Sequence, residues 1–187
     1  MSPTPRFSPL RNHNDIAVTP VIETERLTLR GHMVEDFGEC VAMWGDPEVT
    51  RFIGPPSTPA DTWARIRGYV GQWALLGYGY WLVEERKTAR LVGEVGFGEF
   101  LRDITPSLAG RPEIGWVLAT DAQGKGYATE AVRAALAWAD AHFRAGQKTA
   151  CIIAPDNAAS LRVAGKCGYR EIARTTYKDG PTIVMER

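Results

Sequence analysis

Cysteine is scarce in this chain, which has only Cys40, Cys151 and Cys167 among its 187 residues. The number is odd and no two of them are separated by two residues, so their spacing fits neither a disulfide framework nor a structural zinc site. Cys151 and Cys167 lie in apolar stretches and are interpreted as core thiols. We therefore expect a reducing, cytoplasmic setting and no bound metal.

An excess of charge of either sign is also lacking. The chain has 22 basic and 22 acidic residues, so its formal net charge is zero. A nucleic-acid-binding protein that depends on a strongly basic field is therefore not expected, and no polybasic membrane patch is visible. No stretch approaches the roughly 20 apolar residues of a membrane span, and the N-terminus lacks the apolar core of a secretory signal. These absences predict no nucleic acid and no membrane among the partners.

What the chain does contain is enough apolar residues for one sizeable core. A hydrophobic fraction of 44% over 187 residues predicts one globular domain. Residues 1–20 hold Pro3, Pro5 and Pro9 among polar residues and are predicted to form a flexible extension. The domain is expected to occupy residues 21–187.

Hydrophobic periodicity predicts strands and helices in mixed order. Strands are expected over about 22–30, 79–85, 90–99, 112–119, 148–154, 169–177 and 182–185. Helices are expected over about 34–45, 59–75, 124–144 and 157–166. This order is typical of a single layered α/β or α+β domain.

Two of these segments have an unusual composition. The helix over 59–75 carries a stripe of large apolar residues at helical spacing: Trp63, Ile66, Tyr69, Val70 and Trp73. Core packing is the first interpretation of this stripe, and a substrate groove is the alternative. The strand over 90–99 contains Gly93, Gly96 and Gly98, which indicates a bulge or a close approach by another backbone or a ligand.

The most informative stretch is the glycine turn that leads into the helix over 124–144. Gly124 and Gly126 stand two residues apart, just before an alanine-rich run. The first N–H groups of a helix lack intrahelical partners and carry partial positive charge, and glycine lets an anion approach the backbone closely. The turn therefore indicates either a phosphate site or simply a tight turn.

Three phosphate-binding patterns can be compared with this turn. The chain contains no GxxxxGK[ST] sequence, which excludes a P-loop. Gly124, Gly126 and Thr129 give GxGxxT, which is a weak match to a dinucleotide fingerprint because no carboxylate ends the next strand. Gln123, Gly126 and Ala128 match a third pattern, Gln/Arg-x-x-Gly-x-Gly/Ala.

A second block follows about 30 residues later, from Asn157 to Tyr169. Together, EIGWVLATDAQGKGYATEAV and PDNAASLRVAGKCGYRE resemble the coenzyme A motif and the second motif of the GNAT superfamily of acetyl-CoA-dependent N-acetyltransferases. The opening ETERLTLR is similar to the start of the branch that includes the ribosomal-protein N-terminal alanine and serine acetyltransferases. The resemblance covers about 21–187. It implies a central, mostly antiparallel twisted sheet with a splayed strand pair and flanking helices.

The resemblance also implies acetyl-CoA as the co-substrate. It places the pyrophosphate on the glycine turn, the pantetheine arm on the backbone of the preceding strand, and the second motif beside the arm and the thioester sulfur. The residues that it implies in coenzyme binding are Val117, Leu118, Ala119, Gln123, Gly124, Lys125, Gly126, Tyr127, Ala128, Thr129, Asn157 and Ser160.

For catalysis the resemblance implies direct transfer of acetyl to an amine, with a carboxylate as general base. Glu113 is the first candidate, and Glu94 and Glu99 on the preceding strand are alternatives that face opposite sides of the sheet. A backbone N–H near Leu118 is the candidate oxyanion donor. Many members of the superfamily protonate the thiolate with a tyrosine in the helix after the asparagine motif. None stands there in this chain, so Ser160 is the candidate for that role.

The function predicted by the resemblance is acetylation of a primary amine, on a protein N-terminus or a small molecule, by a monomer or homodimer. The alternative is a non-catalytic acyl-CoA-binding sensor or scaffold. The absence of the family's tyrosine favours that alternative slightly. No transferable motif indicates which amine is the acceptor.

Overall fold

Eight strands form one sheet in the computed structural model, which describes residues 19–187. The strands are β1 (Ile22–Glu23), β2 (Leu27–Arg30), β3 (Tyr80–Glu85), β4 (Arg90–Gly98), β5 (Glu113–Leu118), β6 (Ala150–Ile153), β7 (Arg170–Tyr177) and β8 (Gly180–Glu186). Across the sheet their order is β1-β2-β3-β4-β5-β6-β8-β7. The predicted flexible extension lies, up to residue 18, outside the described residues.

The described residues form five α-helices. They are α1 (Phe37–Gly45), α2 (Pro47–Thr50), α3 (Pro59–Leu76), α4 (Tyr127–His142) and α5 (Ala158–Lys166). Short 3-10 turns precede α1 at Val34–Asp36 and α4 at Thr120–Ala122. None of the helices formed by the described residues is both long and apolar enough to cross a membrane.

The sheet is antiparallel except where β5 runs parallel to β6. Parallel strands need a crossover connection, and α4 is the helix of that crossover. The predicted fold class, a mixed α/β domain with a mostly antiparallel sheet and a splayed strand pair, is therefore confirmed.

The two faces of the sheet bury different residues. Because successive side chains of a strand point to opposite faces, Trp81 and Val95 pack on the α4 face, while Leu82 and Val117 pack under α1. All four side chains are less than 9% exposed. Each central strand therefore contributes side chains to both apolar clusters, one on each side of the sheet.

The predicted strand over 22–30 is wrong in its continuity, because the chain breaks between β1 and β2. The Thr24 N–H donates to the carbonyl of Leu27 (2.9 Å), and the Thr24 hydroxyl accepts from the Leu27 N–H (2.9 Å). This local turn replaces the ladder bonds that a continuous strand would make. The Thr24 hydroxyl also donates to Glu130 of α4 (2.6 Å), a contact that no local pattern reveals.

The predicted helix over 124–144 starts too early and ends too late. Gly124 and Gly126 have left-handed φ angles of 75° and 84°, so helical geometry begins only at Tyr127. The helix ends at His142 because Phe143 is extended, with φ −78° and ψ 163°. The predicted start of α3 is confirmed, where Thr58 and an acidic residue three positions later form a capping box.

The apolar stripe of α3 is only partly core. Ile66, Tyr69 and Trp73 are buried as predicted, at 3–5% exposure, but Trp63 is 37% and Val70 50% exposed. The stripe is wider than the surface that the sheet covers. Trp63 and Val70 instead line a cavity of about 260 Å³ between α3 and residues 32–34.

Gly93 and Gly96 of β4 mark close approaches between backbones, which is one of the alternatives that the composition of the strand indicates. A Cβ on Gly96 would lie 2.3 Å from the Cα of Tyr80 and 2.4 Å from the carbonyl oxygen of Gly79. A Cβ on Gly93 would lie 2.2 Å from the carbonyl oxygen of Val117. No side chain fits at either position without movement of the neighbouring strand.

We expect Gly96→Ala to lower the free energy of unfolding by about 1–3 kcal/mol, because the new methyl group overlaps backbone atoms that cannot move aside. Urea denaturation measures the change. Gly71→Ala is the matched control, because Gly71 lies inside α3 and its Cβ would meet nothing within 4 Å. That change should stabilise the protein by about 0.5–1 kcal/mol. Equal effects of the two substitutions would contradict the close approach at Gly96.

Candidate active site

The parallel pair β5–β6 is held at one register point, Glu113 with Ala150. Beyond that point no pairing joins the two strands, while β5 stays paired with β4 along its whole length. Among the strands of residues 19–187, none therefore pairs with this edge of β5 over its C-terminal half. Backbone N–H and C=O groups require partners, so this edge is suited to bind an extended ligand through the backbone.

The register shows which backbone groups face the gap. In an antiparallel ladder, alternate residues turn their N–H and C=O groups to the same neighbour. The Ala119 N–H donates to the Val92 carbonyl of β4 (3.1 Å), so Trp116 and Leu118 direct their groups the other way. The Leu118 carbonyl accepts from Gln123 Nε2 (3.2 Å). The N–H of Leu118 and both backbone groups of Trp116 are left facing the gap.

The predicted backbone edge, Val117 to Ala119, is therefore divided between two neighbours. Leu118 faces the gap, whereas Val117 and Ala119 are turned toward β4. Trp116 was not singled out by the sequence, because the orientation of a strand residue depends on its register with a partner.

The glycine turn, residues 123–126, lies at the C-terminal end of this edge. The first bond within α4 joins the Glu130 N–H to the Gly126 carbonyl (3.2 Å). The N–H groups of residues 127–129 therefore have no partner inside the helix. A Cβ on Gly124 would meet nothing within 4 Å, so the turn is open to a ligand. The helix dipole favours an anion there.

Arg26 borders the turn and is a site residue that the sequence did not identify. Its Nη1 donates to the Lys125 carbonyl (2.9 Å) and its Nε donates to Glu130 Oε2 (2.7 Å). Its guanidinium also lies 4.8 Å from the centre of the Tyr127 ring. Arg26 thus places a guanidinium, ion-paired with Glu130 (2.6 Å), beside the unpartnered N–H groups. No local sequence pattern marks Arg26, because 99 residues separate it from Lys125 of the turn.

Glu130 holds Arg26 in this position. Its carboxylate accepts from the Thr24 hydroxyl (2.6 Å), from the Arg26 N–H (2.9 Å) and from the Arg26 guanidinium. Burial opposes its ionisation, but the hydrogen bonds from Thr24 and Arg26 hold the pKa of Glu130 below its ordinary value.

The second motif begins where the other wall of the gap, β6, ends. The Asn157 side-chain oxygen accepts from the Ser160 N–H (3.0 Å) and caps α5. Both residues are partly buried. The capping role is therefore present, and the contacts of Asn157 and Ser160 with a coenzyme stay a prediction.

Glu113, the first candidate base, lies at the branch point of the gap and is 6% exposed. Both of its oxygens accept from Arg102, from Nε at 2.6 Å and from Nη2 at 2.7 Å. Arg102 Nη1 also donates to the Tyr177 hydroxyl (2.9 Å). Burial opposes the charge on Arg102, but Glu113 raises the pKa of the guanidinium above its ordinary value. The pair fixes an oriented carboxylate beside β5.

Glu94 lies deeper, under α1, and is 1% exposed. Its oxygens contact His32 Nε2 (3.1 Å) and accept from Trp44 Nε1 (3.1 Å), and Cys40 Sγ is 3.8 Å away. Burial raises the pKa of Cys40, and the charge on Glu94 adds to the rise. Among the described residues, His32, Cys40 and Glu94 are grouped closely enough to suggest metal ligands. Their mutual contacts also account for the group as a packed polar cluster.

Glu99 follows β4 and has the opposite parity to Glu94, as predicted. Burial raises its pKa, a backbone bond from Leu101 opposes the rise, and the charge on Glu113 adds to it. Burial raises the pKa of Tyr78, and the charge on Glu99 adds to the rise. The Tyr78 ring packs against Phe143, beyond the end of α4. Of the three glutamates, Glu113 is the one on β5 itself, at the point where β6 diverges.

Comparison with known proteins gives a consistent result. Residues 26–170 match the family model described as an acetyltransferase (GNAT) domain. YkkB of Bacillus subtilis strain 168, an uncharacterized protein, is 34% identical over 170 residues, which cover 88% of this chain and 93% of YkkB.

Solved structures agree with this match. The acetyltransferase from Agrobacterium tumefaciens strain C58 has a TM-score of 0.78 and 25% identity, over 94% of this chain and 98% of that one. RimL, a ribosomal L7/L12 alpha-N-protein acetyltransferase solved with coenzyme A, has a TM-score of 0.72 at 16% identity, over 90% of this chain and 97% of RimL. The second likeness is evidence of fold alone.

The Glu130 contacts predict how stability depends on pH. Because the folded state lowers the pKa of Glu130, its contribution is present above the unfolded value of about 4.3 and is lost as pH falls through the folded value. We expect Glu130→Gln to cost about 1–3 kcal/mol at pH 7 and clearly less at pH 3. Urea denaturation at both pH values measures this, with the exposed Glu35→Gln as a control. A cost that does not shrink on acidification would contradict the assignment.

Proposed function

This chain belongs to the GNAT acetyltransferase family, and from that premise we propose that it transfers the acetyl group of acetyl-CoA directly to a primary amine in the gap between β5 and β6. As a member of the family it is an acetyl-CoA-dependent N-acetyltransferase. The acceptor is proposed to be a protein N-terminus or a small-molecule amine. The single observation that carries the site assignment is the unpaired edge of β5, which ends at a glycine turn.

The turn fits the pyrophosphate of coenzyme A. The unpartnered N–H groups of residues 127–129 and the charge of Arg26 meet there, and Gly124 leaves the backbone uncovered. Backbone donors at a helix N-terminus bind phosphate without a metal. Gln123, Lys125 and Gly126 shape this turn, and Lys125 adds a second cation.

The edge of β5 fits the pantetheine arm, which carries two amides. Leu118 and Trp116 each face the gap, and successive gap-facing residues lie about 7 Å apart along a strand. The arm thus leads from the turn toward the branch point at Glu113. Asn157 and Ser160 are proposed to contact it from the β6 side.

The reaction requires a neutral amine, because a protonated one has no lone pair for attack. An α-amine has a pKa of about 8 and a lysine side chain of about 10.4, so most acceptors must lose a proton in the site. We assign this proton to Glu113, directly or through water, with Arg102 keeping the carboxylate oriented. Glu94, which is buried beneath α1, is the second candidate for the general base.

Charge that develops on the carbonyl oxygen needs a donor as the amine attacks. The gap-facing N–H of Trp116 or Leu118 is fixed by the pairing of β5 with β4 and requires no reorganisation. The sulfur leaves with the electron pair of the broken C–S bond. Ser160 is proposed to lie near it.

The experiment that tests this function follows thiol release from acetyl-CoA in the presence of an N-terminal peptide, a polyamine, an amino acid and an aminoglycoside. We expect amine-dependent release of coenzyme A with one of these classes. Glu113→Gln should lower kcat about 100-fold at pH 6.5, and the loss should shrink at high pH because the amine is then already neutral.

Glu171→Gln is the matched control, because Glu171 is also held by both of its oxygens, by Arg174 on the exposed strand β7 (2.8 and 3.0 Å). It should leave the rate and its pH profile unchanged. A Glu113→Gln variant with an unchanged rate, or with a loss that is equal at every pH, would remove Glu113 as the base. Tight binding of acetyl-CoA without turnover on any amine would contradict the proposed transfer.

A further inference from the structure

Tyr80 reaches across the sheet to the strand on which the thioester is proposed to lie. Its register partner on β4 is Gly96, and the partner of Gly96 on β5 is Gly115. A Cβ on Gly115 would lie 2.2 Å from the Tyr80 hydroxyl oxygen. The side chain therefore extends from β3 across β4 toward β5, and its hydroxyl rests on β5 at Gly115. A side chain at Gly115 would displace the hydroxyl.

The position of this hydroxyl is fixed by packing. The Tyr80 ring stacks on Tyr69 of α3, with ring centres 4.4 Å apart and an angle of 12° between the planes. Phe100 packs against it edge-on, at 6.3 Å. Tyr80 is 7% exposed, so the ring has little freedom to turn away from β5.

The hydroxyl keeps its proton at neutral pH. Burial raises the pKa of Tyr80 well above its ordinary value, and the charge on Glu113 adds to the rise while that on Arg102 opposes it. Outside its strand, Tyr80 accepts through its backbone oxygen from Trp73 Nε1 (3.0 Å). The hydroxyl is thus a protonated donor that lies beside β5 at Gly115.

The thioester is proposed to end beside the same residue. The arm runs down β5 past Leu118 and Trp116 toward the branch point, and Gly115 is the next residue on that path. We propose that the Tyr80 hydroxyl donates a hydrogen bond to the sulfur of coenzyme A as the thioester is cleaved. This inference rests on the proposed function and adds a catalytic residue that no sequence motif marks.

The step balances without transfer of the tyrosine proton. The amine nitrogen forms the C–N bond, the C–S bond breaks with its electron pair on sulfur, and the amine proton passes to Glu113 or to water. A thiol has a pKa near 8.5 and an ordinary tyrosine one near 10, so the proton stays on Tyr80 and is shared with the thiolate. Coenzyme A then takes its proton from solvent.

The test compares coenzyme A with desulfo-coenzyme A, which lacks the sulfur, and needs no knowledge of the acceptor. Calorimetry measures both affinities from pH 6.5 to 9.5. In the unmodified protein the preference for coenzyme A should grow as its thiol ionises. In Tyr80→Phe, the increase in the ratio of the two affinities between pH 6.5 and 9.5 should be smaller by roughly ten-fold or more. The affinity for desulfo-coenzyme A should stay unchanged.

Two further variants separate this role from packing. Tyr69→Phe removes the hydroxyl of the stacked neighbour and should behave like the unmodified protein. Gly115→Ala places a methyl group against the Tyr80 hydroxyl and should repeat the Tyr80→Phe result if the variant folds, which thermal unfolding checks. In the acetyl-transfer assay, Tyr80→Phe should lower kcat and leave the KM for acetyl-CoA unchanged.

A pH-dependent preference that survives in Tyr80→Phe, or that is lost equally in Tyr69→Phe, would overturn the proposal. A weaker affinity of Tyr80→Phe for both compounds at every pH would assign the residue to packing instead and would also overturn it. If neither compound bound the unmodified protein, the coenzyme site itself would fail. Normal binding of desulfo-coenzyme A therefore distinguishes failure at Tyr80 from failure of the proposed function.

Discussion

The divergence of β5 from β6 after one register pair is the constraint on which the rest of the structure depends. It leaves backbone N–H and C=O groups unpaired in the middle of a sheet, where such groups require partners. A side chain provides a partner for one of these groups, because Gln123 Nε2 donates to the Leu118 carbonyl. Pairing with β4 fixes the direction of the remaining groups, so the edge is rigid before any ligand binds. An extended molecule with amides is the natural partner for it.

The ends of this edge are built from distant parts of the chain. At the end near the glycine turn, Arg26 and Glu130 join the turn before β2 to α4 and place a guanidinium beside the glycine turn. At the other end, Arg102 orients Glu113, and the Tyr80 hydroxyl lies beside Gly115. Gly93 and Gly96 of β4 and Gly115 of β5 lie where a neighbouring strand or a tyrosine approaches closely, so the site requires glycine at these positions. Coenzyme binding and acetyl transfer are thus proposed to take place at opposite ends of the same strand, β5.

The sequence was sufficient for features that are local in the chain. The glycine turn, the cap at Asn157 and most element boundaries follow from a few neighbouring residues. It was insufficient where geometry depends on contacts between distant segments. The break at Thr24 depends on Glu130, the gap-facing role of Trp116 depends on register with β4, and the ion pair of Glu113 depends on Arg102 in a loop. The acceptor remains a proposal, because its recognition lies in such contacts.

Hydrogen exchange at single amides of β5, with and without coenzyme A, tests the central claim most directly. The N–H groups of Trp116 and Leu118 face the gap, whereas those of Gly115 and Val117 are already bonded to β4. The account predicts that coenzyme A slows exchange at Trp116 and Leu118, and at the N–H groups of residues 127–129, without a comparable change at Gly115 and Val117. Protection elsewhere in the chain, with Trp116 and Leu118 exchanging as before, would contradict it.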